Sequence, residues 1–157
     1  MKFLYLKFKK IVERIKKRLE WLLKTPREYA LCIKEIEKIL GLSYHKIIPW
    51  IDEGFLPYGD GIFLRPIIWP FWRETPLQVA IHEVRHLLQW KYKVRLITVK
   101  EVKNFIGFKE EIEKPINKLK KEKEVLYLEH EIDALIVETL GEKLLNQGKI
   151  EEFKNLM

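Results

Sequence analysis

The spacing of apolar residues predicts a chain that is mostly helical. Apolar side chains recur every three or four positions over 3–24, 26–40, 76–92, 99–113 and 116–145, which is the period of an amphipathic α-helix. In the first of these segments lysine and arginine fill most of the other positions. We therefore expect a basic helix there whose apolar stripe packs on the rest of the protein. A helix that lies on a membrane surface or on nucleic acid is the alternative.

Helical periodicity is lost over 43–74, where proline, glycine and aromatic residues accumulate. Two apolar segments there flank Gly59-Asp60-Gly61, a sequence typical of a tight turn between strands. We therefore expect a small antiparallel sheet or hairpin within 45–70. The predicted fold class is mainly α within the α+β class, with the sheet or hairpin preceding the helix that begins near residue 76.

Capping residues mark where two of the helices begin. Thr75 can cap a helix, Pro76 suits its first turn, and Gln78 can return a hydrogen bond to the capping residue. Thr98 and Glu101 have the same spacing and predict a second capped start. These signals make the helix over 76–92 the best defined element of the sequence.

The length suits one domain over 1–157, with an N-terminal helical part at 1–42 and a catalytic part at 43–157. The polar tail after Asn146 is expected to be frayed or weakly helical. Hydrophobic residues make up 47% of the chain and charged residues 34%, which excludes wholesale disorder. This density of charge, with only 7 glycines, favours a heat-adapted protein.

The net charge of +7 permits nucleic acid or an anionic membrane as a partner without requiring either. The single Cys32 excludes a disulfide framework within the chain and an all-cysteine zinc site. We expect a cytoplasmic protein, with peripheral contact to a membrane as the variant that the basic first helix allows. No apolar run reaches the roughly 18 residues of a membrane span, so no transmembrane segment is expected.

The sequence His82-Glu83-Val84-Arg85-His86 lies inside the helix predicted over 76–92. A spacing of four places two histidines about 40° apart around a helix and one turn apart along it, so both imidazoles can reach one ion. Glu83 then lies beside the ion, where it can accept a proton from a zinc-activated water. The opposite arc of the helix is apolar and consists of Leu77, Ala80, Val84, Leu87 and Leu88. The alternative is that the two histidines are ordinary polar groups of a surface or interface.

A zinc site of this type needs a third protein ligand, and the last long helix offers two glutamates. Glu129 and Asp133 fall in an apolar arc, where carboxylates are costly unless something pairs them. A metal for Glu129, and a ligand imidazole or the basic Arg85 for Asp133, would account for both. Glu131 falls in an acidic stripe that suggests solvent exposure, and it remains the second choice as ligand.

These residues resemble the motifs of gluzincin-type zinc metallopeptidases, particularly their small soluble members. In that group a second helix carries Glu-x-x-x-Asp or Glu-x-x-x-Asn, in which glutamate is the third ligand and the other residue supports the ligands. His82, Glu83 and His86 match the first motif, and Glu129 and Asp133 match the second. The resemblance covers about half of the chain and implies one zinc ion bound by His82, His86 and Glu129.

The chain also departs from that family. Ile132 stands before Asp133 where alanine is usual, and the segment between the two motifs is charged and helical. The resemblance further implies a strand before the active-site helix, whose edge could bind an extended peptide. Aromatic residues near the motif could line the cleft, although core packing is their commoner role: Trp69, Phe71, Trp72 and Trp90.

The sequence therefore predicts a zinc-dependent peptidase in which Glu83 is the general base and a peptide or protein is the substrate. Two other readings stay open, a metal-dependent nuclease and a non-catalytic basic module that binds nucleic acid on a zincin-like scaffold. Two neutral imidazoles with one carboxylate suit zinc better than the magnesium of most nucleases. The sequence does not specify the cleavage preference or the oligomeric state.

Overall fold

A computed structural model describes residues 28–43, 46–49, 54–55, 61–64, 75–121 and 127–157. The helix predicted over 3–24 and the first residues of the one predicted over 26–40 lie outside these ranges. The described chain is mainly helical, which confirms the coarse fold class. Its helices are α1 at 28–40, α2 at Pro76–Lys91, α3 at Val99–Val102, α4 at Lys114–Leu119, α5 at Leu128–Asn146 and α6 at Ile150–Leu156, with a π-helical turn at Phe108–Glu113.

Three short strands have the bounds β1 at Lys46–Pro49, β2 at Gly54–Phe55 and β3 at Gly61–Leu64. Their order is β1-β3-β2, with β1 parallel and β2 antiparallel to β3. The arrangement is therefore mixed, whereas the glycine-rich turn led us to expect purely antiparallel pairing. That a strand of this sheet lines the site stays a prediction.

Helix α2 has the bounds and the cap that the sequence predicts. The Thr75 hydroxyl accepts a hydrogen bond from the Gln78 backbone N–H at 3.2 Å, and the Thr75 N–H donates to the Gln78 side chain at 3.0 Å. The apolar arc is buried, with Ala80, Val84 and Leu87 fully inside. The helix is thus held from its first turn, and its remaining faces are free to carry polar groups.

The other two predicted long helices are interrupted. The one expected over 99–113 ends at Val102, and Gly107, which has a φ of 91° that favours glycine, separates it from the π-helical turn. The one expected over 116–145 is divided into α4 and α5. Before α5 begins, Tyr127 has a φ of 57°, which is outside helical geometry.

The tail after Asn146 contains the helix α6, so the helical one of its two expected forms is the one found. Phe153 of α6 is fully buried. It approaches Gly141 of α5 so closely that a Cβ on that glycine would lie 3.0 Å from the Phe153 ring and 3.3 Å from Ile81 of α2. Phe153 therefore packs α6 against α2 and α5, together with Leu156 and Met157 in the larger apolar cluster.

Two apolar clusters surround α2 and α5. The larger joins α1, α2 and α6 around residues such as Ile33, Val84 and Phe153. The smaller joins the π-helical turn, α4 and α5 through Ile112, Ile116 and Ile136. Among the described residues no helix has both the length and the apolar character needed to span a membrane. Helices α2 and α5 lie side by side between these clusters, and their facing polar residues form the site.

Candidate metal centre

Helix α2 presents His82 and His86 towards Glu131 of α5. The two Nε2 atoms lie 3.0 Å apart. One carboxylate oxygen of Glu131 lies 3.3 Å from His82 Nε2 and the other lies 3.2 Å from His86 Nε2. These ligand atoms form a cluster that could hold one metal ion.

The other ring nitrogen of each histidine has its own partner. His82 Nδ1 lies 2.7 Å from a carboxylate oxygen of Glu138, and His86 Nδ1 lies 2.8 Å from Oε1 of Gln89. A carboxylate or an amide oxygen can only accept, so both Nδ1 atoms must carry the proton and donate it. In the neutral rings the two Nε2 atoms then have lone pairs, and these point at each other and at Glu131.

This arrangement requires a positive charge at its centre. Two lone pairs and a carboxylate about 3 Å apart repel one another unless a proton or a cation lies between them. Two nitrogens bound to one tetrahedral zinc ion at about 2.0–2.1 Å would lie roughly 3.3 Å apart. The observed separations of 3.0–3.3 Å are close to that value. The donor set and its spacing therefore fit a metal ion.

Glu83 is buried beside the two histidines. Its Oε2 atom has no hydrogen-bond partner among the described residues. Burial raises the pKa of this carboxyl group, the adjacent imidazoles of His82 and His86 work in the opposite direction, and the net shift is upward. A carboxylate with a free, buried oxygen and a raised pKa is well suited to accept a proton from a bound water.

The cluster also shifts the pKa of His82 and Glu131. Burial by itself would lower the pKa of His82, but Glu138, Glu131 and Glu83 raise it well above the usual 6.5. Burial alone would raise the pKa of Glu131, but the neighbouring imidazoles of His82 and His86 lower it well below its usual range. The carboxylates around His82 therefore favour a positive charge on its imidazole.

The structure brings Glu131, and not the predicted Glu129, to the two histidines, so Glu131 replaces Glu129 in the candidate ligand set. Glu129 is exposed and lies outside the cluster. The acidic stripe that was expected to be solvated faces α2 instead. From it Glu131 reaches both histidines, Glu138 reaches His82, and Glu142 accepts a hydrogen bond from the Thr75 hydroxyl at 2.6 Å. With Glu131 in this position, the spacing to Asp133 no longer matches the Glu-x-x-x-Asp motif.

Asp133 is fully buried and pairs with Arg85, the alternative partner named from the sequence. Arg85 Nε donates to one carboxylate oxygen at 2.6 Å and Nη2 donates to the other at 2.9 Å. No direct bond joins Asp133 to either histidine within the described chain. Its link to the cluster runs through Gln89, whose Nε2 donates to Asp133 at 2.6 Å.

Glu138 and Gln89 are site residues that the sequence reasoning did not identify. Glu138 lies seven residues after Glu131 and therefore on the same face of α5. Gln89 lies three residues after His86, one turn along α2. Helical spacing from the ligands was the signal that could have found both residues.

The remaining described histidine, His130, takes no part in the cluster. Its ring stacks on Trp90 with centroids 4.9 Å apart, and Tyr127 contacts the edge of Trp90 at 4.8 Å. Trp90 thus packs against α5 next to the site. The other histidine, His45, and the aromatic residues at 69, 71 and 72 lie outside the described ranges.

Comparison of the chain with protein-family models, with curated proteins and with solved structures finds no match. The geometry of the cluster therefore carries the functional interpretation by itself.

Replacing Asp133 with alanine should destabilise the fold by about 3–5 kcal/mol, because it leaves the buried Arg85 guanidinium without its counter-charge. The measurement is the free energy of unfolding from denaturant titration. Lys154→Ala is the matched control, since it breaks an ion pair to the exposed Glu151 and should change stability little. Equal losses in the two variants would contradict the importance assigned to the buried pair.

Zinc binding should release about one proton per ion near pH 7. Because the pKa of His82 is raised, the metal-free ring is protonated there and must lose its Nε2 proton to bind metal. Affinity should rise with pH up to that pKa and level off above it. Calorimetry in two buffers of different ionisation enthalpy measures the proton count. Glu138→Gln, which removes a charge that raises this pKa, should release less.

Proposed function

We propose that the protein is a zinc-dependent peptidase whose ligands are His82, His86 and Glu131. The observation that carries this proposal is the convergence of two Nε2 lone pairs and a carboxylate beside the buried Glu83. Such a centre has three protein ligands and leaves a fourth position for water or substrate, which is the pattern of catalytic rather than structural zinc.

Zinc is the metal that suits these ligands best. Neutral imidazoles with one carboxylate favour zinc over magnesium and calcium, which prefer oxygen ligands. The hydrogen bonds from His82 to Glu138 and from His86 to Gln89 support the choice, because ligand histidines usually donate their second ring nitrogen in this way.

Each residue has a distinct role in this proposal. Zinc, when bound, supplies a water of lowered pKa, near 7, and polarises the scissile carbonyl. Glu83 accepts a proton from the attacking water and passes it to the amine that leaves. Its raised pKa brings its proton affinity closer to neutral, which helps both halves of that transfer.

The local charge favours a peptide over a nucleic acid. Glu83, Glu131 and Glu138 all lie beside His82, although the chain as a whole has a net positive charge. A phosphodiester backbone brought to this position would meet three carboxylates, whereas a neutral peptide bond would not. The resemblance to gluzincins points the same way, with Glu131 in place of Glu129 and without the Glu-x-x-x-Asp spacing.

Glu131→Gln should weaken zinc binding by at least tenfold, because it removes the carboxylate that faces both imidazoles. Glu129→Gln is the matched control two residues away and should leave the affinity unchanged. Competition with a chelator of known zinc affinity measures both variants. The opposite ranking would restore Glu129 as the ligand.

Glu83→Gln should keep zinc but abolish peptide hydrolysis. The amide is nearly the same size as the carboxylate, so the site persists, but an amide cannot accept the proton of water. The experiment compares zinc content and cleavage of a mixed peptide library by parent and variant. Equal cleavage by both proteins would remove Glu83 from this role, and a parent that binds zinc but cleaves nothing would contradict the peptidase proposal.

A further inference from the structure

The amide of Gln89 lies between the metal-ligand cluster and the buried ion pair. Its side chain is almost fully buried and makes three hydrogen bonds. Nε2 donates to Asp133 Oδ2 at 2.6 Å and to the His130 carbonyl at 3.0 Å, and Oε1 faces His86 Nδ1 at 2.8 Å.

This network allows only one orientation of the amide. A carboxylate in an ion pair and a backbone carbonyl can only accept, so the NH₂ group must point at Asp133 and His130. Oε1 must then point at His86, and His86 must donate from Nδ1. Rotating the amide by 180° would set NH₂ against Nδ1 and an oxygen against two acceptors.

Asp133 is in turn fixed by α2 and by the segment after it. Two nitrogens of Arg85 donate to its carboxylate, and the Ile97 backbone N–H donates to Oδ1 at 2.6 Å. Two elements, α2 and the segment after it, therefore hold the acceptor that orients Gln89.

Resting on the proposed zinc site, we infer that Gln89 is a positioning residue that sets the tautomer of His86. It transmits the fixed position of Asp133 to the imidazole and leaves Nε2 as the atom that binds metal. Asp133 thus acts on the ligand histidine through Gln89 and not by direct contact. Glu138 accepts the Nδ1 proton of His82 with a charged carboxylate. Gln89 accepts the Nδ1 proton of His86 with a neutral amide, and Asp133 fixes the orientation of that amide.

The test is Gln89→Met in the full chain, which keeps the length of the side chain and removes both the acceptor and the donor. Long-range ¹H–¹⁵N spectra of ¹⁵N-histidine protein report which ring nitrogen of His86 carries the proton. Metal-free parent should show His86 protonated at Nδ1, and the variant should show a mixture of tautomers. Zinc affinity, measured by chelator competition, should fall about 10- to 100-fold.

The same spectra contain a control for misfolding. His82 Nδ1 faces Glu138, which Gln89→Met does not touch, so a folded variant should keep the parent's signal for the His82 Nδ1 proton. Loss of the Nδ1–H tautomer at His86 alone supports the positioning role.

The outcomes separate the two proposals. A parent protein that binds no zinc would overturn the proposed function, whatever Gln89 does. If the parent binds zinc and Gln89→Met has the parent's tautomer and affinity, the positioning role is overturned and Gln89 only fills a polar gap in the core.

Discussion

The carboxylate of Asp133 is the constraint on which the rest of the described structure depends. It is fully buried, and it accepts hydrogen bonds from two Arg85 nitrogens, from Gln89 and from the Ile97 backbone. The guanidinium of Arg85 also donates to the Arg95 carbonyl at 2.7 Å and to the Leu156 and Met157 carbonyls. One ion pair thus joins α2, α5, α6 and the segment that follows α2. A buried pair of this kind is tolerable only because nearly every donor and acceptor around it is satisfied.

A second cluster of charged residues lies on the same two helices, and not all of its polar atoms have a partner within the described chain. Glu83, Glu131 and Glu138 surround two imidazoles, and Glu83 Oε2 has no partner within the described chain. The three carboxylates raise the pKa of His82, so they favour a positive charge on its ring. Both clusters lie between α2 and α5. At Asp133 the protein supplies the counter-charge as Arg85, whereas around His82 the carboxylates outnumber the positive groups.

The sequence predicted α2 well because its signals are local. Its cap, its apolar arc and its two histidines all follow from spacing along one helix. The third ligand depends on how α5 is rotated against α2, which no pattern within α5 determines. The helix has two acidic faces, and the choice of Glu129 assumed that the more apolar arc would turn inwards with it.

The structure turns the stripe of Glu131 and Glu138 towards α2 instead, since the histidines and the cap at Thr75 supply partners for three carboxylates. The breaks at Gly107 and Tyr127 and the burial of α6 were missed for a related reason. The first two are single-residue backbone conformations, and the third depends on the packing of Phe153, Leu156 and Met157 against other helices.

The contacts that hold α2 against α5 are made by groups other than the candidate ligands. Asp133, Arg85 and Gln89 complete their hydrogen bonds with protein groups alone, and the apolar clusters on either side of α2 and α5 contain no ligand. In small zinc domains the free energy of metal binding is the free energy of folding. Here the ion pair of Asp133 with Arg85 and the apolar clusters hold α2 against α5, and the candidate ligand atoms lie together at that contact. The free energy of folding therefore offsets the repulsion among the carboxylates of Glu83, Glu131 and Glu138. A proton on His82 reduces that repulsion in part, and a divalent ion reduces it more.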